Sequence, residues 1–261
     1  MNRTIIHFLL ILVGYIFFAA PGTALGITAQ EILKKSLSEN LTGPFRMSLQ
    51  INVEKGNKKI KKHVIWVIGQ VSEKRGTFFI EFDAPEESKG LRFLFRVENG
   101  KLMEAFMYLP ATGKTLPIAT NDPEADIGGT GLTVNDLQAL APQGNENAKI
   151  EREEKVDGKD CYVISMTSKG KTSPRYIWVL KNGYQVIKAM QMGKNGKPER
   201  IFKVVEFFKT DQGKIFPRKE VITVPDKKLR ITIIQENAVF GIEIPKEVLD
   251  AKTFGKYKWR I

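Results

Sequence analysis

The chain has a single cysteine, Cys161, and two histidines, His7 and His63. One cysteine excludes an intramolecular disulfide in any compartment. The Cys and His counts exclude the usual zinc sites as well. Cys161 stands in the strand-like run Asp160-Cys161-Tyr162-Val163-Ile164, where a small buried apolar residue is expected rather than a reactive thiol. No Gly-x-Ser-x-Gly elbow is present, so a hydrolase would have to build its nucleophile–base pair around a scarce imidazole. Gly113-Lys114-Thr115 and Gly170-Lys171-Thr172 lack the glycine that a phosphate loop places five positions earlier; Tyr108 and Ser165 stand there instead. Gly128-Gly129-Thr130-Gly131 has no βαβ spacing around it and is not a dinucleotide fingerprint. These absences point away from catalysis, and neither a metal nor a cofactor is expected.

The N-terminus carries a different signal. Met1-Asn2-Arg3 is short and positive, and Ile5 to Ala20 is almost wholly apolar. Pro21-Gly22-Thr23-Ala24-Leu25-Gly26 follows, with small residues at the spacing a signal peptidase needs. That order describes a cleavable secretory signal. The run is shorter than the roughly 20 residues that span a bilayer. We expect residues 1–26 to be a signal peptide, cleaved after Ala24 or Gly26, and residues 27–261 to form a single domain in the periplasm. No cysteine near the exit is available to carry a lipid anchor. His63 is then the last imidazole, on a lysine-rich hairpin.

The whole chain holds 41 Lys+Arg against 29 Asp+Glu, a net charge of +12. Losing Arg3 with the signal leaves 40 against 29, or +11. Such a surplus favours anionic partners. However, the lysines are spread through hairpin ends such as Lys55, Lys58, Lys59, Lys61 and Lys62, as in solvated turns that discourage edge pairing. Export argues against nucleic acid.

Thr28-Ala29-Gln30-Glu31 reads as a capping box. Ile32, Leu33, Leu37 and Leu41 follow on one helical face, predicting a helix over Ala29 to Asn40. Beyond Gly43-Pro44 the period falls from 3.6 to 2. Phe45, Met47, Leu49, Ile51 and Val53 alternate with polar residues. Val64 to Ile68 is apolar on both faces and so central. Further strands are predicted over Thr77–Asp83, Leu91–Val97 and Leu102–Leu109. Ala111 to Glu146 breaks the rhythm, with one short helix over Thr133–Leu140; so long an insertion is more often functional than idle. Seven more strands follow from Ala148 to Asn237, and Pro245–Ala251 reads as a helical turn. About eleven or twelve strands in consecutive hairpins make a mainly β, antiparallel protein. A single sheet of that width must curl or close. Phe78/Ile80/Phe82, Phe93/Phe95/Val97 and Met103/Met107/Leu109 share one parity. Periodicity leaves open whether that face is filled or encloses an apolar ligand.

Several segments, in this order, resemble the outer-membrane lipoprotein-sorting proteins, the LolA/LolB-like periplasmic lipoprotein carriers. They are Glu81-Phe82-Asp83-Ala84-Pro85, Lys89 to Leu94, Phe106 to Ala111 and Gly128 to Leu137, then Tyr176-Ile177-Trp178-Val179 and Lys214 to Arg218. The resemblance implies a strongly curved antiparallel sheet forming an unclosed β-barrel, with an N-terminal helix and a helical lid. It implies a soluble, monomeric carrier that shields the acyl chains of a lipoprotein or other lipid during transfer toward the outer membrane. Its partners would be an inner-membrane transporter and an outer-membrane acceptor. The alternative is a periplasmic sensor or regulatory subunit of an envelope transporter or stress system with the same fold. Parity and resemblance together nominate Phe78, Ile80, Phe82, Phe93, Phe95, Met107 and Leu109 as lipid-binding residues on the concave face. Trp178 is expected to join them from the other half of the sheet, and Ala125–Leu140 to lie over the mouth. Fractionation with N-terminal sequencing is expected to recover a soluble periplasmic protein beginning at Leu25 or Ile27. A membrane-embedded product with an intact N-terminus would overturn the export reading.

Overall fold

A computed structural model describes residues 26–257, apart from 41, 57, 73, 100, 120, 121, 123, 139–145, 169–172, 211, 212 and 214. The export segment, Leu41 and Leu140 lie outside the described residues, and only the backbone is described at Leu37 and Leu137. Among the described residues no helix is long and apolar enough to cross a membrane.

Helix α1 spans Ala29–Asn40, as its periodicity predicts. Its capping box forms: the Glu31 carboxylate accepts the Thr28 amide at 2.8 Å, and the Glu31 amide donates to Thr28 Oγ1 at 3.2 Å. The strands are β1 Gly43–Lys55, β2 Lys58–Val71, β3 Arg75–Ala84, β4 Arg92–Glu98, β5 Lys101–Leu109 and β6 Lys114–Pro117. After a short helix α2, Val134–Gln138, come β7 Glu146–Val156, β8 Lys159–Ser168, β9 Arg175–Leu180 and β10 Val186–Met192. Then follow β11 Pro198–Lys209, β12 Ile215–Val224 and β13 Leu229–Phe240. The helical turn near the C-terminus is a short 3-10 element, Lys246–Leu249.

These strands form one antiparallel sheet in the order β6-β5-β4-β3-β2-β1-β13-β12-β11-β10-β9-β8-β7. Every neighbour but one follows in sequence. The exception pairs β1 with β13, so the first and last strands meet at the centre and two runs of hairpins extend from them. The edges β6 and β7 do not pair with each other, so the sheet is an unclosed barrel. Strand β6 is the thirteenth and was not expected: Lys114–Pro117 is four residues, all exposed, too short for alternation to register.

Cross-strand register carries one apolar face across the sheet. Met107 pairs with Phe93 and Phe93 with Ile80; Ile80 pairs with Val67, and Val67 with Met47. On the far side Ile231 pairs with Ile222, Ile222 with Phe202, and Phe202 with Ala189. Ala189 pairs with Ile177, and Ile177 with Ile164. We call this the inner face. Helix α1 covers its β8–β9 end, burying Ala29 and Ile32 against Ile164, Met166, Ile177 and Val179. The loop between β6 and β7 covers the other end through Ile127 and Val134.

The outer face of β2–β4 is not wet. Ile68, Phe79 and Leu94 are buried there under Val248 and Phe254 of the C-terminal segment. The Arg92 guanidinium holds that segment, donating to the carbonyls of Phe254, Gly255 and Tyr257 at 3.1, 2.8 and 2.8 Å. Arg96 donates to the Leu249 carbonyl at 2.9 Å. Two expected placements change. A bulge between Arg96 and Val97 sets Leu102 opposite Val97, so Leu102 is buried and Met103 is 55% exposed. A one-residue slip exchanges the two faces of a strand. His63, on the lysine-rich hairpin read from the sequence, is fully buried, because β2 runs far past the turn and places it on the inner face opposite Ile51. Trp178 faces outward.

Cys161 is fully buried with Val163, Trp178 and Ile187 on the outer face, and burial pushes its thiol pKa up. Because the thiolate is the reactive form, thiol reagents are expected to label it slowly in the native protein and at once after denaturation. Rapid native labelling would contradict the β8 register.

Candidate functional site: the lidded inner face

Five of the nominated residues meet in one cluster: Phe78, Ile80, Phe82, Phe93 and Phe95 are each 5% exposed or less. Their alternation on β3 and β4 and the pairs Phe78–Phe95 and Ile80–Phe93 bring them side by side. The rings of Phe93 and Phe95 stack at 5.8 Å, and Phe82 tilts against Phe93 at 5.8 Å. Met107 packs at the edge of this cluster. Leu109 is half-buried at the end of β5, where it pairs with Lys114.

Trp178 is not part of it. Ile177 and Val179 take the inner face, so Trp178 opposes Val163 on the outer one. An indole N–H that is buried needs an acceptor, and this one finds Glu154 Oε1 on β7 at 2.5 Å, with Lys188 Nζ 4.2 Å from its ring centroid. Residue type suggested a lining role; strand parity excludes it.

The lid is built around Asp126. Its carboxylate accepts the Gly129 and Gly131 amides at 2.5 and 2.7 Å, and Asp126 bridges to Thr133. The buried Thr130 hydroxyl donates to the Ile127 carbonyl at 2.7 Å. Thr133 and Asp136 cap α2 reciprocally, the Asp136 carboxylate accepting the Thr133 amide at 2.8 Å. The same carboxylate receives Arg200 of β11 in a two-pronged pair at 2.8 and 2.5 Å, while Arg200 also donates to the Gly131 carbonyl at 3.0 Å. One arginine from the far half of the sheet therefore fastens both the glycine loop and α2.

Two glycines let the loop lie flat on the core. Gly128 has φ +64°, and a Cβ there would stand 2.4 Å from the Phe82 ring. Gly131 has φ +72°, and a Cβ would stand 2.8 Å from Ile231. His63 closes the contact from below. Its Nε2 lies 3.1 Å from the Gly129 carbonyl, and its ring meets Phe82 edge-on at 5.7 Å. A carbonyl only accepts, so Nε2 carries the proton. Burial lowers the His63 pKa, opposed by the Gly129 carbonyl and then Asp126 and Glu87, and aided by Lys61. The imidazole is thus held neutral. Glu220 on β12 is shifted the other way, its carboxyl raised by burial to about 7 against a hydrogen bond from Gln235.

Arg200, His63 and Glu220 were not legible as site residues. Asp136 was, but only as a helix cap. Nothing in sequence shows that residues 136 and 200 meet. A surface recess of about 630 Å³ lies among Ser72, Lys74, Arg75, Glu98 and Asn99 at the β2–β3 and β4–β5 hairpin tips. It is a polar notch that none of the nominated residues lines.

An unclosed antiparallel sheet with a helix and a loop across its inner face is the LolA-like fold. Solved structures show the same class. A domain assigned as an outer membrane lipoprotein-sorting protein, from Vibrio parahaemolyticus, superposes with a TM-score of 0.79 at 14% identity, over 87% of this chain and 98% of that one. A DUF1329 family protein from Desulfovibrio piger gives 0.74 at 19% identity, over 85% and 94%. A LolA superfamily protein from Nitrosomonas europaea gives 0.68 at 15% identity, over 86% and 98%. No curated protein matches the chain in sequence. A family model described as "-like: Uncharacterized protein" matches residues 74–255, and the chain belongs to that family.

Replacing Gly128 by Ala adds a collision with Phe82 to the positive-φ strain and is expected to cost about 2–4 kcal/mol. Gly129→Ala, where only Lys61 Nζ comes within 3.9 Å, meets the strain alone, about 1–2 kcal/mol. Denaturant unfolding of the two variants checks this. Equal losses would mean that the lid is not seated on Phe82.

Proposed function

We propose that this protein is a soluble periplasmic carrier. It shields the acyl chains of a lipoprotein or other lipid during transfer toward the outer membrane, between an inner-membrane transporter and an outer-membrane acceptor. One observation carries the reading: the apolar inner face is covered by a segment fastened by few, separable polar contacts. Each CH₂ withdrawn from water contributes about 0.8 kcal/mol, so an acyl chain crosses an aqueous gap only when shielded. Ile127, Leu132 and Val134 of the lid occupy the inner face where a chain would lie. Loading then means exchanging lid side chains for cargo methylenes, an apolar-for-apolar swap with little net cost, which suits a carrier that must also release. The Phe and Met lining gives adaptable contact, and the function requires no catalytic step. The LolA-like fold supports the same reading.

A fluorescent fatty-acid probe is expected to bind the wild-type protein. Phe93→Asp or Phe95→Asp should weaken binding at least tenfold, with circular dichroism checking the fold, because an unpartnered buried charge is costly. A second test spares the core. In a Cys161→Ala background, cross-linking Asp136→Cys to Arg200→Cys should slow probe exchange without unfolding the sheet. A wild-type protein that binds no acyl probe would remove the carrier reading.

A further inference from the structure

Lysines are scattered through the hairpin ends in sequence, but strand pairing brings two of those ends together. The β1–β2 turn lies beside the β12–β13 turn, a 3-10 element over Pro225–Lys227. Lys55 pairs with Leu229, and the Gly56 amide donates to the Lys228 carbonyl at 2.8 Å. Lys55, Lys58, Lys59 and Lys62 stand exposed on the first tip, and Lys227 and Lys228 on the second. None of these six has an ion pair among the described residues. Glu54 is engaged by Arg230 at 3.9 Å and Glu87 by Lys61 at 3.5 Å. Asp226 is then the one remaining carboxylate within residues 54–62 and 225–230. Lys58 stands directly opposite Lys55, a like-charge pairing that weakens a hairpin.

An apolar residue stands amid this charge. Val53 opposes Lys61 and Glu54 opposes Lys59, so Ile60 is the extra residue of a bulge, and it is 55% exposed. The tips also adjoin the lid. A Cβ at Gly129 would lie 3.9 Å from Lys61 Nζ, and one at Gly131 would lie 3.4 Å from Leu229 Cδ2. The glycine loop of the lid therefore rests at the root of both tips, at the same end of the sheet.

We infer that these adjoining tips are the surface by which the protein docks on a bilayer of anionic phospholipids, the six lysines meeting headgroup phosphates and Ile60 entering the headgroup layer. Charge complementarity selects an anionic partner, and the side chains select a bilayer. Protein interfaces favour arginine and aromatic residues and are depleted in lysine. Arginine grips a fixed carboxylate or phosphate with a planar fork, whereas lysine is a point charge on a flexible stem, suited to many laterally mobile phosphates. Single-stranded nucleic acid wants aromatic rings for stacking, and neither tip carries one. A cluster of basic residues with an exposed apolar one is the usual make-up of a membrane-surface element. Docking through this end would set the lid against the bilayer. The inference rests on the carrier reading for its purpose, because it names the surface at which that carrier exchanges cargo.

The test is co-sedimentation of the mature protein with vesicles of phosphatidylcholine alone and of phosphatidylcholine mixed with phosphatidylglycerol. Binding of the fluorescent acyl probe is measured on the same preparation without vesicles. The protein is expected to bind the anionic vesicles and not the neutral ones, and to lose roughly tenfold or more in affinity at about 1 M salt, where screening leaves a reach of about 3 Å. Each lysine near an anionic surface contributes about fivefold in affinity. Lys58→Glu with Lys227→Glu should therefore weaken vesicle binding by roughly tenfold or more. Lys74→Glu with Lys101→Glu makes the same change of charge at exposed lysines of the opposite hairpin tips and should cost less than about threefold, because those tips lie beyond the reach of the surface. Ile60→Ser should weaken binding several-fold and leave the salt dependence unchanged. Circular dichroism checks the fold of each variant, and all should bind the acyl probe as the wild type does. Equal losses from the two lysine pairs would mean that net charge alone is sensed, and would overturn the docking surface. If the anionic vesicles are not bound while the acyl probe is, docking is wrong and the carrier reading stands. If the vesicles are bound through these lysines and the probe is not, the carrier reading falls and the docking surface stands. Binding of polyglutamate through the same lysines, with no binding to vesicles, would assign the tips to an acidic protein and overturn the membrane assignment.

Discussion

A sheet of thirteen strands with unpaired edges has an apolar face too wide to leave in water. Burying one Phe, Leu or Ile side chain contributes roughly 1.5–3 kcal/mol. Contiguous apolar patches beyond a few hundred Å² are rare on soluble monomers. Closing the barrel would have hidden the face, but β6 and β7 do not meet. Other segments must cover it, and the architecture follows from that need. Helix α1 takes the β8–β9 end, and the loop between β6 and β7 takes the end built from β1 to β5 and β13. The C-terminal segment does the same for the outer side of β2–β4.

The covers differ in how they are held. Helix α1 and the C-terminal segment are buried through their own apolar side chains, the latter pinned by Arg92 to three carbonyls. The lid buries Ile127 and Val134 and adds close fit and polar contacts: two glycines flat on Phe82 and Ile231, the His63–Gly129 contact and Arg200 on Asp136. Since Arg200 belongs to β11 and Gly128 rests on β3, the lid also ties the two halves of the sheet across the inner face.

Burial treats the two titratable residues of that face in opposite ways with one result. It lowers the pKa of His63 and raises that of Glu220, because a low-dielectric surrounding disfavours the charged form of either group. Near neutral pH both approach neutrality. An apolar surface can then keep hydrogen-bonding groups without paired charges, one of them serving the lid.

The sequence by itself determined the local structure. The Thr28–Glu31 capping box and the helical spacing of Ile32 and Leu33 specify α1, and the boundaries of β9 and β12 follow from alternation between turn residues. The shared parity of Phe78, Ile80, Phe82, Phe93 and Phe95 put them on one face, because side chains alternate with period two whatever the strand pairs with. Only the tertiary structure decided what depends on register and long-range pairing. A single bulge exchanged Leu102 for Met103. Parity carried through four strand pairings from β13 to β9 turned Trp178 outward. The meeting of Arg200 with Asp136, 64 residues apart, required the β1–β13 pairing that joins the two runs of hairpins, and that of His63 with Gly129, 66 apart, required the lid to fold back over β2. Periodicity is a property of neighbouring residues, whereas a contact between distant strands exists only after every intervening register has been set.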